Sequence, residues 1–173
     1  FEGGQRVPTV MMWGNVIPKG KIANQLSSTI DLLPTIATIV KSDLPDHKID
    51  GVNILEVLEG KEKEPRDHFF YYYGNNNLEA VRKDNWKLIL PHSSRSYKGV
   101  LPTNDGHGGP YSRINTGLEL YNLRRDPGEE YDVINLYPDI AKELEDLAEI
   151  ARKDMGDNLT GRKGSNTRQP GKL

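Results

Sequence analysis

"LEAVRKDNWKLILP", residues 78–91, decides how the middle of this chain folds. Two short runs, aliphatic on one face, flank Lys83-Asp84-Asn85, and turn residues between β-formers signal a hairpin. Upstream, "HFFYYYG" (68–74) is aromatic and strand-like. Alternation buries only half of such a run, so core packing is a better reading than a platform for stacking bases or sugars. Downstream, "LELYNL" (118–123) is another short strand, and "RRDPGEEYDV" (124–133) places Pro127 and Gly128 as a β-turn would. That turn accounts for Asp126, Glu129 and Glu130 without chemistry. A helix begins near Pro138. Ile140, Leu144, Leu147, Ala148 and Ala151 form its narrow apolar stripe, while Asp139, Glu143 and Glu145 crowd the end where the helix dipole favours anions. Residues 68–155 therefore read as a small antiparallel sheet carrying one C-terminal helix. Residues 156–173 lack core residues and read as a flexible tail.

The first part has another character. "FEGGQRVPTVMMW" (1–13) passes a Gly-Gly turn into residues 7–13, apolar on both faces, as in a strand covered on both sides in a parallel sheet. "VIPKG" (16–20) is turn chemistry. A helix follows, with Asp31 near its start, Pro34 in its first turn, and Leu33, Ile36, Ala37 and Val40 on one face. Strand, loop and helix make half of a βαβ unit. The expected fold is thus α/β plus α+β: residues 1–60 the end of an α/β domain, a charged linker at 61–67, then the small sheet domain.

Bulk composition narrows the function. The 173 residues carry a formal net charge of −2, which argues against a nucleic-acid binder driven by phosphate contacts. No apolar run approaches the roughly 20 residues of a membrane-spanning helix, and no export signal stands on this chain. There is no cysteine, which excludes disulfides, cysteine zinc sites and thiol nucleophiles.

No phosphate loop, HExxH or nucleophile elbow is present. His47, His68, His92 and His107 are not spaced as metal ligands on a regular element, so neither catalytic nor metal-binding residues are assigned. His92 and Arg95, in "LPHSSRSY", follow a strand end. A cation and an imidazole there can hold a sulfate, a phosphate or sugar hydroxyls. A surface arginine that finds a carboxylate is the plainer alternative. "NDGHGGPYS" (104–112), with His107, can close over a ligand or simply be a turn-rich excursion. His92, Arg95 and His107 are the candidate substrate-binding residues.

The order of several segments resembles the type I, formylglycine-dependent sulfatases. "FEGGQRVPTVMMW" resembles their E-G-G-x-R-V-P segment, "IDLLPTIATIV" their D-[IL]-x-P-T helix, and "IDGVNILEVLEG" their D-G-x-[SN]-L connection. "WKLILP" and "LELYNLRRDPGEEYDV" are similar to the W-K-L and E-L-Y-[DN]-L-x-x-D-P-x-E series that closes those enzymes. Residues 92–112 look most like bacterial arylsulfatase-A-type members. The resemblance covers about residues 1–152. It implies the end of an alkaline-phosphatase-like α/β domain followed by a small C-terminal domain.

The resemblance also implies calcium and a formylglycine residue for the full-length enzyme. Neither the C/S-x-P-x-R pattern nor the family's calcium-ligand segments stand in this sequence. The expectation is therefore the C-terminal portion of a sulfuric ester hydrolase acting on a sulfated carbohydrate or aryl sulfate. It would supply substrate-cleft loops, stay inactive without a missing N-terminal catalytic segment, and work in the periplasm or outside the cell. The alternative is a non-catalytic sulfated-glycan-binding or assembly module. An exposed strand at 7–13 would favour self-association.

Overall fold

The computed structural model describes residues 1–101 and 103–168. It divides into two compact units, residues 4–67 and residues 1–3 together with the chain from His68 onward.

The second unit is built on a four-stranded antiparallel sheet. Its strands are β1 (His68–Tyr73), β2 (Asn77–Lys83), β3 (Trp86–Ile89) and β6 (Glu119–Asn122), in the order β1-β2-β3-β6. Lys83 pairs with Trp86, so the hairpin turn is Asp84-Asn85, and Asp84 takes φ 51°, the left-handed conformation such turns require. The β1–β2 register shifts between Tyr71 and Tyr72, leaving Glu79 as the extra residue of a bulge. The shift turns Leu78 to the same face as Val81, Leu88 and Leu120. Against that face lies α4 (Pro138–Met155), burying Ala141, Leu144, Ala148 and Ala151. Pro138 opens α4 at its first position, and Arg152 and Lys153 end it where cations oppose the dipole.

The opposite face buries Ala80, Ile89 and Tyr121. Register puts Arg82, Lys87 and Tyr121 in one row there. Lys87 is 1% exposed, because Glu2 and Glu129 reach its ammonium at 3.0 and 2.9 Å. The Tyr71 ring lies 4.8 Å from the same nitrogen. Burial, then the Glu2 carboxylate, pushes the Tyr71 phenol above its ordinary value, with Lys87 and Arg82 opposing. Phe1, just before the single helical turn α1 (Glu2–Gln5), packs edge-on to Tyr121 at 6.4 Å.

The segment after α4 differs from the flexible tail expected at 156–173. Strands β7 (Gly156–Asp157) and β8 (Arg162–Lys163) form a small hairpin. The fully buried Asp157 carboxylate accepts from the Leu78 and Leu159 amides and from the Arg152 guanidinium. A carboxylate, rather than apolar residues, secures this stretch, which is why it carries no core signature. Residues 169–173 of the expected tail lie outside the described residues.

In the unit of residues 4–67, a 3-10 turn (Thr29–Asp31) leads into α2 (Leu32–Val40), and α3 (Leu55–Leu58) follows. Asp31 is fully buried. It accepts from the Ser28 amide at 2.7 Å and the Val52 amide at 2.9 Å, and pairs with Arg66. The Thr35 hydroxyl bridges the Asp31 carbonyl and the Ile54 amide. This polar knot draws Pro34, Thr35 and Ala37 inward and leaves Leu33, Ile36 and Val40 more than half exposed. The expected apolar face is therefore only partly used.

Two further expectations are corrected. Residues 7–13 form no strand: they have no ladder partner among the described residues, and Val10 is 96% exposed. A strand is held by neighbours on its edges, and every strand found here lies from His68 onward. Residues 61–67 are also more than a linker. Lys61 and Lys63 pair with Glu56, and Arg66, 8% exposed, pairs with Asp31.

Candidate functional site

β3 and β6 are adjacent and antiparallel, yet the chain between them makes the long excursion of residues 90–118. All three candidate residues lie on it. Read from sequence as a loop, it contains a two-stranded ribbon of β4 (His92–Ser96) and β5 (Ser112–Thr116). Its polar alternation of Ser, Arg and Asn gives no hydrophobic face to signal a strand, and the Gly-rich segment between its strands dominates the reading.

Pairing runs His92 with Thr116, Ser94 with Ile114 and Ser96 with Ser112 on one face, and Ser93 with Asn115 and Arg95 with Arg113 on the other. His92 and Arg95 thus point to opposite faces. The structure separates them. The His92 side chain is 7% exposed. Its Nδ1 donates to the Leu90 carbonyl at 2.7 Å, and its Nε2 lies 3.3 Å from Glu79 Oε2. Both ring nitrogens are occupied within the fold, so His92 secures the base of the ribbon.

Arg95 faces solvent, with its guanidinium over the Tyr111 ring at 4.7 Å. Tyr111 packs edge-on to Tyr97 at 6.2 Å, and both tyrosines are about half exposed. Directly across from Arg95 stands Arg113, also exposed, which sequence reading missed. Only the ribbon register reveals it as a partner. His107 is exposed in the connection between β4 and β5, where its amide donates to the Asn104 carbonyl and its carbonyl accepts from the Thr103 hydroxyl. Among the described residues no hydrogen bond, ion pair or ring contact joins it to Arg95 or His92.

Asp126 and Glu129 are structural, as the turn pattern suggests. The Asp126 carboxylate accepts from the Glu130 and Tyr131 amides at 2.8 Å each, and Glu129 is spent on Lys87. Among the described residues no three His, Asp or Glu side chains gather as ligands for a metal ion, and the chain has no cysteine. Among the described residues no side-chain set fits a calcium site, and no Cys or Ser of the sequence stands in the C/S-x-P-x-R pattern. No helix among the described residues is long and apolar enough to cross a membrane.

Comparison with known proteins places this architecture. Residues 64–170 match the family described as "C-terminal region of aryl-sulfatase", and residues 1–101 match "N-sulphoglucosamine sulphohydrolase, C-terminal". The chain is 29% identical to bovine (Bos taurus) arylsulfatase A over 83% of its own length and 29% of that protein. It is 29% identical to the N-acetylgalactosamine-6-O-sulfatase of Bacteroides thetaiotaomicron over 88% of its length and 28% of that enzyme. The solved PsFucS1 sulfatase of Pseudoalteromonas sp. shares the fold, with a TM-score of 0.64 at 18% identity over 90% of this chain and 30% of that one. The chain spans less than a third of the length of these relatives. It belongs to the sulfatase family, hydrolases of the arylsulfatase-A kind, and corresponds to their C-terminal region.

Proposed function

We propose that this chain is the substrate-facing C-terminal portion of a sulfuric ester hydrolase acting on a sulfated sugar or aryl sulfate. The excursion between β3 and β6 carries the reading. A tight turn joins neighbouring antiparallel strands, so a long polar detour from a compact sheet serves something other than the core. Arg95 and His107 are among the exposed groups it offers, and the sulfatase relatives suggest the substrate class. In this reading residues 1–60 are the end of the larger α/β domain, and 68–155 are the body of the small one. Nucleophile and calcium belong to the longer enzyme, which acts in the periplasm or outside the cell, and the 173 residues are inactive by themselves.

The test is to read the coding frame upstream of Phe1, express its full product, and assay both it and the 173-residue chain on p-nitrophenyl sulfate and on sulfated monosaccharides. Hydrolysis by the long product alone supports the proposal. A start codon just before Phe1, or turnover by the short chain, overturns it. A start codon there would leave the non-catalytic sulfated-glycan-binding module as the second reading.

A further inference from the structure

The outward face of the β4–β5 ribbon is a ladder of three rungs. Ser93 pairs with Asn115, Arg95 with Arg113, and Tyr97 stands beside Tyr111 at the next position. Ser93, Arg95, Arg113 and Asn115 on this face are exposed, and both tyrosines are about half exposed. Successive rungs lie roughly 7 Å apart, two residues of strand. Neither arginine has a carboxylate partner among the described residues. Like charges directly opposite on a ribbon repel, with Cβ atoms about 5 Å apart. The chain tolerates that pair here although its net charge is negative.

We propose that this face binds a sulfated glycan, with Arg95 and Arg113 gripping one sulfate between them. The proposal deepens the substrate-facing reading above and names the ligand chemistry of the ribbon. Two planar guanidiniums facing each other present forked donors to the oxygens of one anion, and the anion removes their mutual repulsion. Tyr111 backs Arg95 and fixes the plane of its fork. Tyr97 adds an apolar ring for the C–H face of a sugar, while Ser93 and Asn115 offer donors and acceptors to hydroxyls on the far side. An acidic peptide would use the arginines but would have no role for the aromatic rung. Three rungs cover more than one sugar ring, so the occupant is a chain rather than a single sulfated monosaccharide.

The experiment needs no catalysis, so it stands apart from the hydrolysis test. The 173-residue chain is titrated by calorimetry and by amide NMR with a heparin-derived oligosaccharide, with its chemically desulfated counterpart, and with polyglutamate. The expected result is binding of the sulfated sugar alone, with shifts confined to residues 93–97 and 111–115. Arg95→Gln and Arg113→Gln should each weaken binding about tenfold, and Tyr97→Ala about threefold. Both arginines are exposed, so circular dichroism of the variants should match the parent. Absence of binding, equal binding of the desulfated sugar or polyglutamate, or unchanged affinity in the double arginine variant would each overturn the proposal.

Discussion

Lys87 Nζ lies 3.0 Å from Glu2 Oε1, and this contact between residues 85 positions apart fixes the start of the chain on the face of the sheet away from α4. Glu129 closes the cluster from the other side at 2.9 Å, and also accepts from the Glu2 amide. Arg82 stands 3.8 Å from the second Glu2 oxygen. Three segments that resemble sulfatase motifs in the sequence therefore meet at one buried charge: the E-G-G start, the W-K-L strand and the D-P-x-E turn. An ion cluster accounts for their meeting.

Lys87→Met keeps most of the side-chain volume but leaves the Glu2 and Glu129 carboxylates buried against an apolar group. Breaking a buried ion pair from one side costs about 3–5 kcal/mol. The expected loss in urea unfolding is of that order. Adding Glu129→Gln should recover part of it, because one unpaired charge is then gone. An additive double variant would show that Lys87 and Glu129 are not coupled.

Gly51 is required by space. A Cβ there would meet the Ile30 carbonyl oxygen at 2.1 Å, and backbone cannot yield as a side-chain tip can. Gly51→Ala must therefore push Val52 away from Asp31, whose carboxylate accepts the Val52 amide. The expected cost is about 1–3 kcal/mol, read as faster proteolysis within residues 4–67 while the sheet unit melts unchanged. Equal melting and proteolysis of variant and parent would contradict this account.

Glu149 provides the pH dependence. Hydrogen bonds from Arg162, then Arg152, hold its carboxyl below the usual carboxylate range. A carboxyl with a lowered folded value binds protons less readily folded than unfolded. Its contribution is therefore present above the unfolded value, about 4.3, and is lost as pH falls through the folded one. Protection factors of the β7 and β8 amides, which correct exchange for its intrinsic pH dependence, should fall on acidification from about pH 5 downward. Glu149→Gln should remove the part of that fall that Glu149 causes, and protection insensitive to this substitution would refute the assignment.

The sheet unit was largely legible because its signals are local. The Asp84-Asn85 turn, the apolar stripe of α4 and the Asp126 turn each lie within a few residues of one another. What escaped reading depends on distant polar contacts. Lys87 looks like an ordinary alternating strand residue until Glu2 and Glu129 arrive from either end of the chain. Residues 7–13 have strand composition, but composition cannot supply a neighbouring strand. At the site, Arg95 was visible as a cation on an excursion, whereas Arg113 becomes its partner only through the ribbon register. His92 reads as a candidate ligand in the sequence, and the contacts of its ring with the Leu90 carbonyl and Glu79 follow only from how the ribbon base packs on β2.

Asp157 is the sharpest case of such a hidden contact. Its carboxylate is fully buried, and it takes the Leu78 amide at 3.2 Å, the Leu159 amide at 3.0 Å and Arg152 Nε at 3.0 Å. Asp157→Ala strips acceptors from a buried amide and a largely buried guanidinium together. An orphaned buried donor costs about 1–3 kcal/mol, and more when charged. The expected loss is therefore about 2–4 kcal/mol in chemical unfolding. It should be accompanied by faster exchange of the Leu78 amide at the start of β2, far from position 157 in sequence. Asp157→Asn keeps acceptor capacity for one amide and should fall between parent and alanine. If residues after Met155 were only a tail, both variants would unfold with the parent and Leu78 would exchange at the parent rate.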